Sequence, residues 1–101
     1  MKTIGIIGGL SWESTTEYYR LINQEIKSRF GGLHSAKVII NSLDQFETFE
    51  CQKKGDWLGA ANILKLAAKS LEDAGANCIL IATNTMHKVF DEVQSAVKVP
   101  S

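Results

Sequence analysis

The sequence Thr3-Ile4-Gly5-Ile6-Ile7-Gly8-Gly9, near the start of the chain, is typical of a β-strand that ends at a glycine turn. Apolar residues at helical spacing follow, from Tyr18 to Phe30, and the pair Gly31-Gly32 is suited to end that helix. Ser14 and Glu17 have the spacing of a capping box, which predicts that the helix begins near Ser14. This part of the chain therefore predicts a strand, a tight turn and a helix.

Two further strands are predicted, over residues 36–42 and 77–82, because both segments are short and apolar. Between them, Asp56 is suited to cap a long helix with one broad apolar face, and Gly75 is suited to end it. Residues 43–55 are polar, with two phenylalanines inserted, and they predict a loop with one helical turn.

Beyond the third strand, the spacing of apolar residues predicts a third helix from Thr83 to about Ser95, and residues 97–100 resemble the start of a fourth strand. The resulting order, βαβαβα, indicates an α/β fold with a doubly wound parallel sheet in three layers. Strands this apolar need helices on both faces of the sheet. We therefore expect residues 1–101 to form an incomplete unit of such a fold.

Composition excludes several classes of protein. The chain has 101 residues, with eleven basic and eleven acidic side chains, and thus lacks the positive charge typical of nucleic-acid binders. Its longest apolar run, Cys78–Ala82, is far shorter than the ~20 residues that span a bilayer. Two distant cysteines are too few for a disulfide framework or a zinc site, so no metal is expected. These features predict a cytoplasmic protein without nucleic-acid or membrane partners.

Ligands of open α/β sheets bind beyond the carboxyl ends of the strands. Three segments meet this condition: Gly8–Ser11, Ser42–Gln52 and Thr83–Thr85. The first and the third lead into predicted helices, whose free N–H groups favour an anion such as a carboxylate. The glycine spacing Gly5-x-x-Gly8-Gly9 does not match the dinucleotide fingerprint, which disfavours nucleotide binding.

The segment Thr83-Asn84-Thr85-Met86-His87 concentrates two hydroxyls, an amide and an imidazole at one strand end. A helix cap alone would need only one of these side chains. Two interpretations stay open on these residues, namely a helix cap with a solvated His87 and a ligand site.

Several of these segments together resemble the aspartate/glutamate racemase family, most closely its bacterial branch of broad-specificity and L-aspartate/glutamate-specific racemases. The resemblance is carried by the following segments: Ile4–Thr15, Tyr18-Tyr19, Asn23, Glu50-Cys51-Gln52 and Thr83–His87. It implies two pseudo-symmetric α/β domains with a cleft between them. Residues 1–101 would be the N-terminal domain, and the second domain would be absent from this chain.

The resemblance also implies a racemase that uses no cofactor and moves protons with one acid/base from each domain. Thr83 stands where most members have a cysteine and would be the acid/base of this half, with a cysteine of the missing half as its partner. The implied contacts to the amino-acid substrate are the Leu10 backbone, Gln52, Thr83, Asn84 and Thr85. The full protein would be a homodimer that acts on L-aspartate, L-glutamate or a similar amino acid, and residues 1–101 alone would be inactive.

Two alternatives are weighed against this interpretation. One is a non-catalytic module that binds an acidic amino acid or another carboxylate. The other is a related enzyme, such as a hydantoin racemase or a maleate isomerase. Those relatives use paired thiols, so Thr83 disfavours them.

Overall fold

The computed structural model of the chain describes residues 1–82, which contain three strands in one parallel sheet. The strands are β1 (Ile4–Gly8), β2 (Val38–Ser42) and β3 (Cys78–Ile81), and their order across the sheet is β2-β1-β3. Ile4 of β1 lies opposite Val38 on one side and Cys78 on the other. The predicted parallel α/β fold is confirmed, with strands one or two residues shorter than expected. The predicted third helix and fourth strand lie outside the described residues.

Three helices connect these strands within residues 1–82: α1 (Trp12–Phe30), α2 (Gln45–Lys53) and α3 (Trp57–Asp73). Gly8 abuts Thr15 of α1, whereas Gly5 abuts Leu71 of α3. Positions 5 and 8 of one strand face opposite sides of the sheet. The two long helices therefore cover opposite faces, as right-handed crossovers to either side of β1 require.

The core of the described residues lies between the sheet and α3. Ile7 and Ile79 are fully buried there against one face of α3, which was predicted from its spacing. That face consists of four alanines and two leucines: Ala60, Ala61, Leu64, Ala67, Ala68 and Leu71. Within residues 1–82, no helix is both long and apolar enough to cross a membrane.

The start of α1 differs from the prediction. The helix begins at Trp12 with Ser11 as N-cap, so the predicted capping box of Ser14 and Glu17 is wrong. The Ser14 hydroxyl donates to the Ser11 Oγ at 3.3 Å, and the Glu17 carboxylate binds Arg20. The physical reason is the tightness of the glycine turn, which lets the helix start three residues earlier than the capping pattern indicates.

The segment after β2 also differs from the prediction. Residues 43–55 contain a nine-residue helix, α2, rather than a loop with one helical turn. The Asp44 carboxylate caps this helix by accepting from the Phe46 N–H at 3.0 Å. Phe46 and Phe49 are exposed, while Cys51 packs against the core, so apolar spacing does not mark the buried side of this helix.

Candidate active site

The ends of the three strands bring the predicted ligand-binding segments to one edge of the sheet. Gly8 lies opposite Ser42, and the Leu43 N–H donates to the Gly8 carbonyl at 2.8 Å. On the other side of β1, the Ala82 N–H donates to the Ile7 carbonyl at 3.0 Å. The first two segments thus begin side by side, and the third begins directly after Ala82. Its residues Thr83, Asn84 and Thr85 lie outside the described part of the chain.

The connection from β1 to α1 is built on close approach of two backbones. Gly9 has a φ of +80°, and a Cβ at this position would lie 2.0 Å from the Leu43 carbonyl oxygen. Only glycine fits such a site, because the backbone conformation and the space both exclude a side chain. The need for glycine at position 9 therefore follows from its contact with the backbone of Leu43, the residue after β2.

A buried hydroxyl closes this connection from inside α1. The Gly9 N–H donates to Thr15 Oγ1 at 2.9 Å, and Thr15 Oγ1 donates to the Ser11 carbonyl at 3.2 Å. Thr15 is 7% exposed, and a Cβ on Gly8 would lie 2.6 Å from its Cγ2. The place of Thr15 in the site cannot be recognised from the sequence, since one threonine in a helix gives no signal of its own.

Leu10 presents its backbone, rather than its side chain, to the edge of the sheet. Its side chain is 7% exposed and belongs to the core cluster that packs around α3. The neighbouring Ser11 hydroxyl donates to Glu13 Oε2 at 3.1 Å and makes no capping bond to α1. The free N–H groups at the start of α1 are thus not satisfied by the Ser11 side chain, and such groups favour an anion.

Gln52 lies in the last turn of α2 and is half-buried. Its carbonyl accepts from the Gly55 N–H at 3.1 Å, and the preceding carbonyl, of Cys51, accepts from the Asp56 N–H at 2.8 Å. These bonds fix the end of α2 to the start of α3. Contact between Gln52 and a ligand at Leu10 stays a prediction. Among residues 1–82, no group of three or more His, Cys, Asp or Glu side chains is placed to hold a metal ion.

The family follows from a comparison with known proteins. Residues 7–101 match the profile of the Asp/Glu/hydantoin racemases. The chain belongs to this family. The resemblance to the aspartate/glutamate racemases is thus confirmed at the level of the family.

Two solved structures of racemase relatives are similar to this chain over 99% of its length. One, assigned to the Asp/Glu racemases, is from Yersinia pestis; it is 55% identical, with a TM-score of 0.97, and the chain covers 44% of it. The other is an aspartate racemase homologue from Pyrococcus horikoshii OT3, 46% identical, with a TM-score of 0.85 and 43% of its length covered. This racemase-family chain therefore spans less than half the length of these relatives.

Proposed function

We propose that this chain is the N-terminal half of an aspartate/glutamate-type amino-acid racemase that inverts Cα without a cofactor. The family match over residues 7–101 carries the proposal. The meeting of the Gly9–Ser11 connection and the end of β3 at one sheet edge supports it. A second, similar domain across a cleft completes the site in the full-length protein. Solved relatives of which this chain covers 44% and 43% leave room for such a domain.

The reaction is a pair of proton transfers at one carbon. A base on one side of the substrate takes the α-proton, and the electron pair of the C–H bond stays on Cα and its carboxylate. An acid on the opposite side then delivers a proton to the other face, which inverts the configuration. Both groups must already be in position, because the carbanion is strongly basic and short-lived.

Thr83 is the acid/base of this half, and a cysteine of the second domain is its partner. A threonine hydroxyl is a much weaker acid than a thiol, whose ordinary pKa is about 8.5. Its alkoxide is therefore scarcely populated, and Thr83 donates a proton better than it removes one. The enzyme is asymmetric for this reason: the cysteine deprotonates one enantiomer readily, and Thr83 reprotonates the opposite face.

The α-carboxylate of the substrate lies against the start of α1 and the segment that follows β3. Backbone N–H groups, among them that of Leu10, hold it there together with the Asn84 and Thr85 side chains, and Gln52 makes a further contact to the substrate. Supporting this placement, the Ser11 side chain leaves the free N–H groups of α1 uncapped. Hydrogen bonds to the carboxylate stabilise the negative charge that it already carries in the bound substrate, and they persist while further charge builds up on it during proton removal.

The test is exchange of the α-proton of L-aspartate and L-glutamate in D₂O, using the full-length protein. We expect the wild type to incorporate deuterium and to form the D-enantiomer. Thr83→Ala should form no D-product, because no donor remains on that face. Any residual exchange in this variant should retain the L-configuration, since the cysteine returns a deuteron to the face from which it took the proton.

Other outcomes separate the alternatives. Binding of L-aspartate without exchange would contradict the racemase and favour a non-catalytic carboxylate-binding module. Racemisation that persists in Thr83→Ala would contradict the role of Thr83. Turnover by residues 1–101 alone would contradict the requirement for a second domain.

Thr83→Cys tests the asymmetry. The two enantiomers have equal free energy, so kcat/KM is the same in both directions, and the asymmetry appears in kcat and KM separately. We expect the cysteine variant to raise kcat selectively for the slower enantiomer, because a thiolate is a better base than a threonine hydroxyl. An unchanged ratio of forward to reverse rates at saturation would contradict the asymmetric mechanism.

The proposal also places the full-length protein in the cytoplasm as a homodimer. Light scattering on the purified full-length protein tests the dimer directly, and a monomer at micromolar concentration would contradict it.

A further inference from the structure

We propose that Thr15 is a positioning residue for substrate binding. Its buried hydroxyl holds the backbone on either side of Leu10, so that the Leu10 amide is aimed at the substrate carboxylate. This inference rests on the proposed function and adds to it a residue that does not touch the substrate.

The geometry of the hydroxyl is that of a clamp. It accepts from the Gly9 N–H at 2.9 Å and donates to the Ser11 carbonyl at 3.2 Å. These two partners are the residues immediately before and after Leu10. The Thr15 N–H donates to the same Ser11 carbonyl at 3.1 Å, which ties the far end of the clamp to the helix as well.

Other contacts hold the remaining parts of the connection. The Leu10 side chain is buried in the core around α3, and Gly9 is pressed against the Leu43 backbone. Because these contacts hold the Leu10 side chain and Gly9, the direction of the Leu10 amide depends on the peptide groups that the Thr15 hydroxyl bridges. Preorganised backbone donors bind charge well because they do not reorient when the ligand arrives.

The neighbouring Thr16 provides a natural comparison. Its hydroxyl also donates to the carbonyl four residues earlier, that of Trp12, at 3.1 Å. It is exposed and lies on the same turn of α1, but the bond that it makes stays within the helix. Comparing variants that lack one or the other hydroxyl therefore distinguishes the effect of the clamp from the effect of losing a hydrogen bond to the carbonyl four residues earlier, which is common for a threonine in a helix.

The experiment measures kcat, KM and the dissociation constant for L-aspartate in the full-length protein, together with Tm. The variants are Thr15→Val, Thr15→Ser and the matched control Thr16→Val. Thr15→Val preserves the shape and removes the clamp, so we expect KM and Kd to rise about tenfold. We expect kcat to fall by no more than about threefold, because the Leu10 amide meets the carboxylate both before and during proton transfer.

Thr15→Ser keeps the hydroxyl and loses the methyl group that packs on Gly8. We expect it to lower Tm while keeping KM and Kd within about twofold of the wild type. Thr16→Val should leave kcat, KM and Kd within about twofold of the wild type. A residue with a merely structural role would instead show KM changes that follow the loss in Tm.

The outcomes distinguish this inference from the function on which it rests. If the wild type racemises L-aspartate and Thr15→Val has an unchanged KM, the inference alone is overturned. If the wild type binds L-aspartate without racemising it, the racemase proposal fails. The clamp is still supported in that case if Thr15→Val binds L-aspartate about tenfold more weakly and Thr16→Val does not. If the wild type neither binds nor racemises L-aspartate or L-glutamate, both are overturned.

Discussion

Two strand-to-helix connections lie side by side at the carboxyl edge of the sheet, and different contacts stabilise them. The connection from β1 to α1, residues 9–11, is closed by the Thr15 hydroxyl and by the backbone that leaves β2. The connection from β2 to α2, residues 43–44, ends in a helix capped by the Asp44 carboxylate. The first depends on residues that are distant in sequence or buried in a helix. The second shares the contact between Leu43 and Gly9, but the start of its helix is stabilised by its own cap.

This difference bears on where a binding site can be built. A connection held by close backbone packing offers its backbone in one orientation, and at Gly9 it tolerates no added side-chain atom. A connection closed by a local cap tolerates substitution, because its helix start is exposed and satisfied by one side chain. We therefore expect the first to carry the geometry of the site, and four predictions test the comparison.

The largest effect is expected for Gly9→Ala. Its Cβ would lie 2.0 Å from the Leu43 carbonyl oxygen, at a φ of +80°. We expect a loss of at least about 3 kcal/mol in the free energy of unfolding, measured by urea denaturation. Gly55→Ala is the matched control, since its φ is +70° and no atom lies within 4 Å of the added group. It should cost only about 1–2 kcal/mol, and equal losses would contradict a role for the Leu43 contact.

Gly8→Ala is expected to have the next largest effect. The added Cβ would lie 2.6 Å from Thr15 Cγ2 and 2.8 Å from its hydroxyl oxygen, so the start of α1 must shift. We expect a loss of about 1–3 kcal/mol in the free energy of unfolding. The double variant Gly8→Ala/Thr15→Ala should be more stable than the sum of the two single losses predicts. Additive losses would indicate that the two positions are not in contact.

The two helix caps should respond differently to truncation. Asp44→Ala removes the acceptor of the Phe46 N–H and should cost about 1 kcal/mol. Ser11→Ala should cost less than about 0.5 kcal/mol, because the Ser11 side chain makes no capping bond. Both values come from urea denaturation of the same protein. A larger loss of unfolding free energy for Ser11→Ala than for Asp44→Ala would contradict the assignment of Asp44, and not Ser11, as a side-chain cap.

The smallest effect is expected at Glu17, near the start of α1. The hydrogen bond from the Arg20 guanidinium lowers the pKa of the Glu17 carboxyl, which lies on the exposed side of α1. A lowered pKa in the folded state stabilises the protein above the unfolded pKa, and this contribution is lost as the pH falls through the folded pKa. We expect Glu17→Gln to lower Tm by less than about 2 °C at neutral pH, and this difference in Tm should shrink as the pH is lowered through the folded pKa. If the difference in Tm between Glu17→Gln and the wild type persisted in acid, it would not arise from the ionised Glu17 carboxylate.

The parallel sheet and the long helices could be predicted from the sequence because each has a strong local signal. The apolar run of β1 and the alanine face of α3 both follow the period of their element, and Asp56 accepts from the Gly59 N–H at 2.9 Å, as a cap should. α2 could not be predicted in this way. Its phenylalanines are exposed, and its contact with the core is made by a cysteine, so no apolar period marks the helix.

The candidate site was predicted in part. Parallel strands end at one edge of their sheet, so the position of Leu10 at that edge could be predicted from the order of strands and helices alone. The Thr15 clamp could not be predicted, because its importance arises from the absence of side chains at Gly8 and Gly9 and from the approach of Leu43. The false capping box at Ser14 has the same origin, since the actual helix start is set by packing. Thr83, Asn84 and Thr85 stay predictions, as they lie outside the described residues.

The contact between Gly9 and Leu43 has a consequence for the order of folding. The β1–α1 connection is short in sequence, yet its packed form requires a residue that follows all of α1 and β2. During synthesis, α1 can form as soon as it is free, whereas the connection before it gains its final contacts only when β2 pairs with β1. The β1–α1 connection is thus synthesised early but reaches its final packing late. The carboxyl edge of the sheet cannot form before β2 has paired with β1.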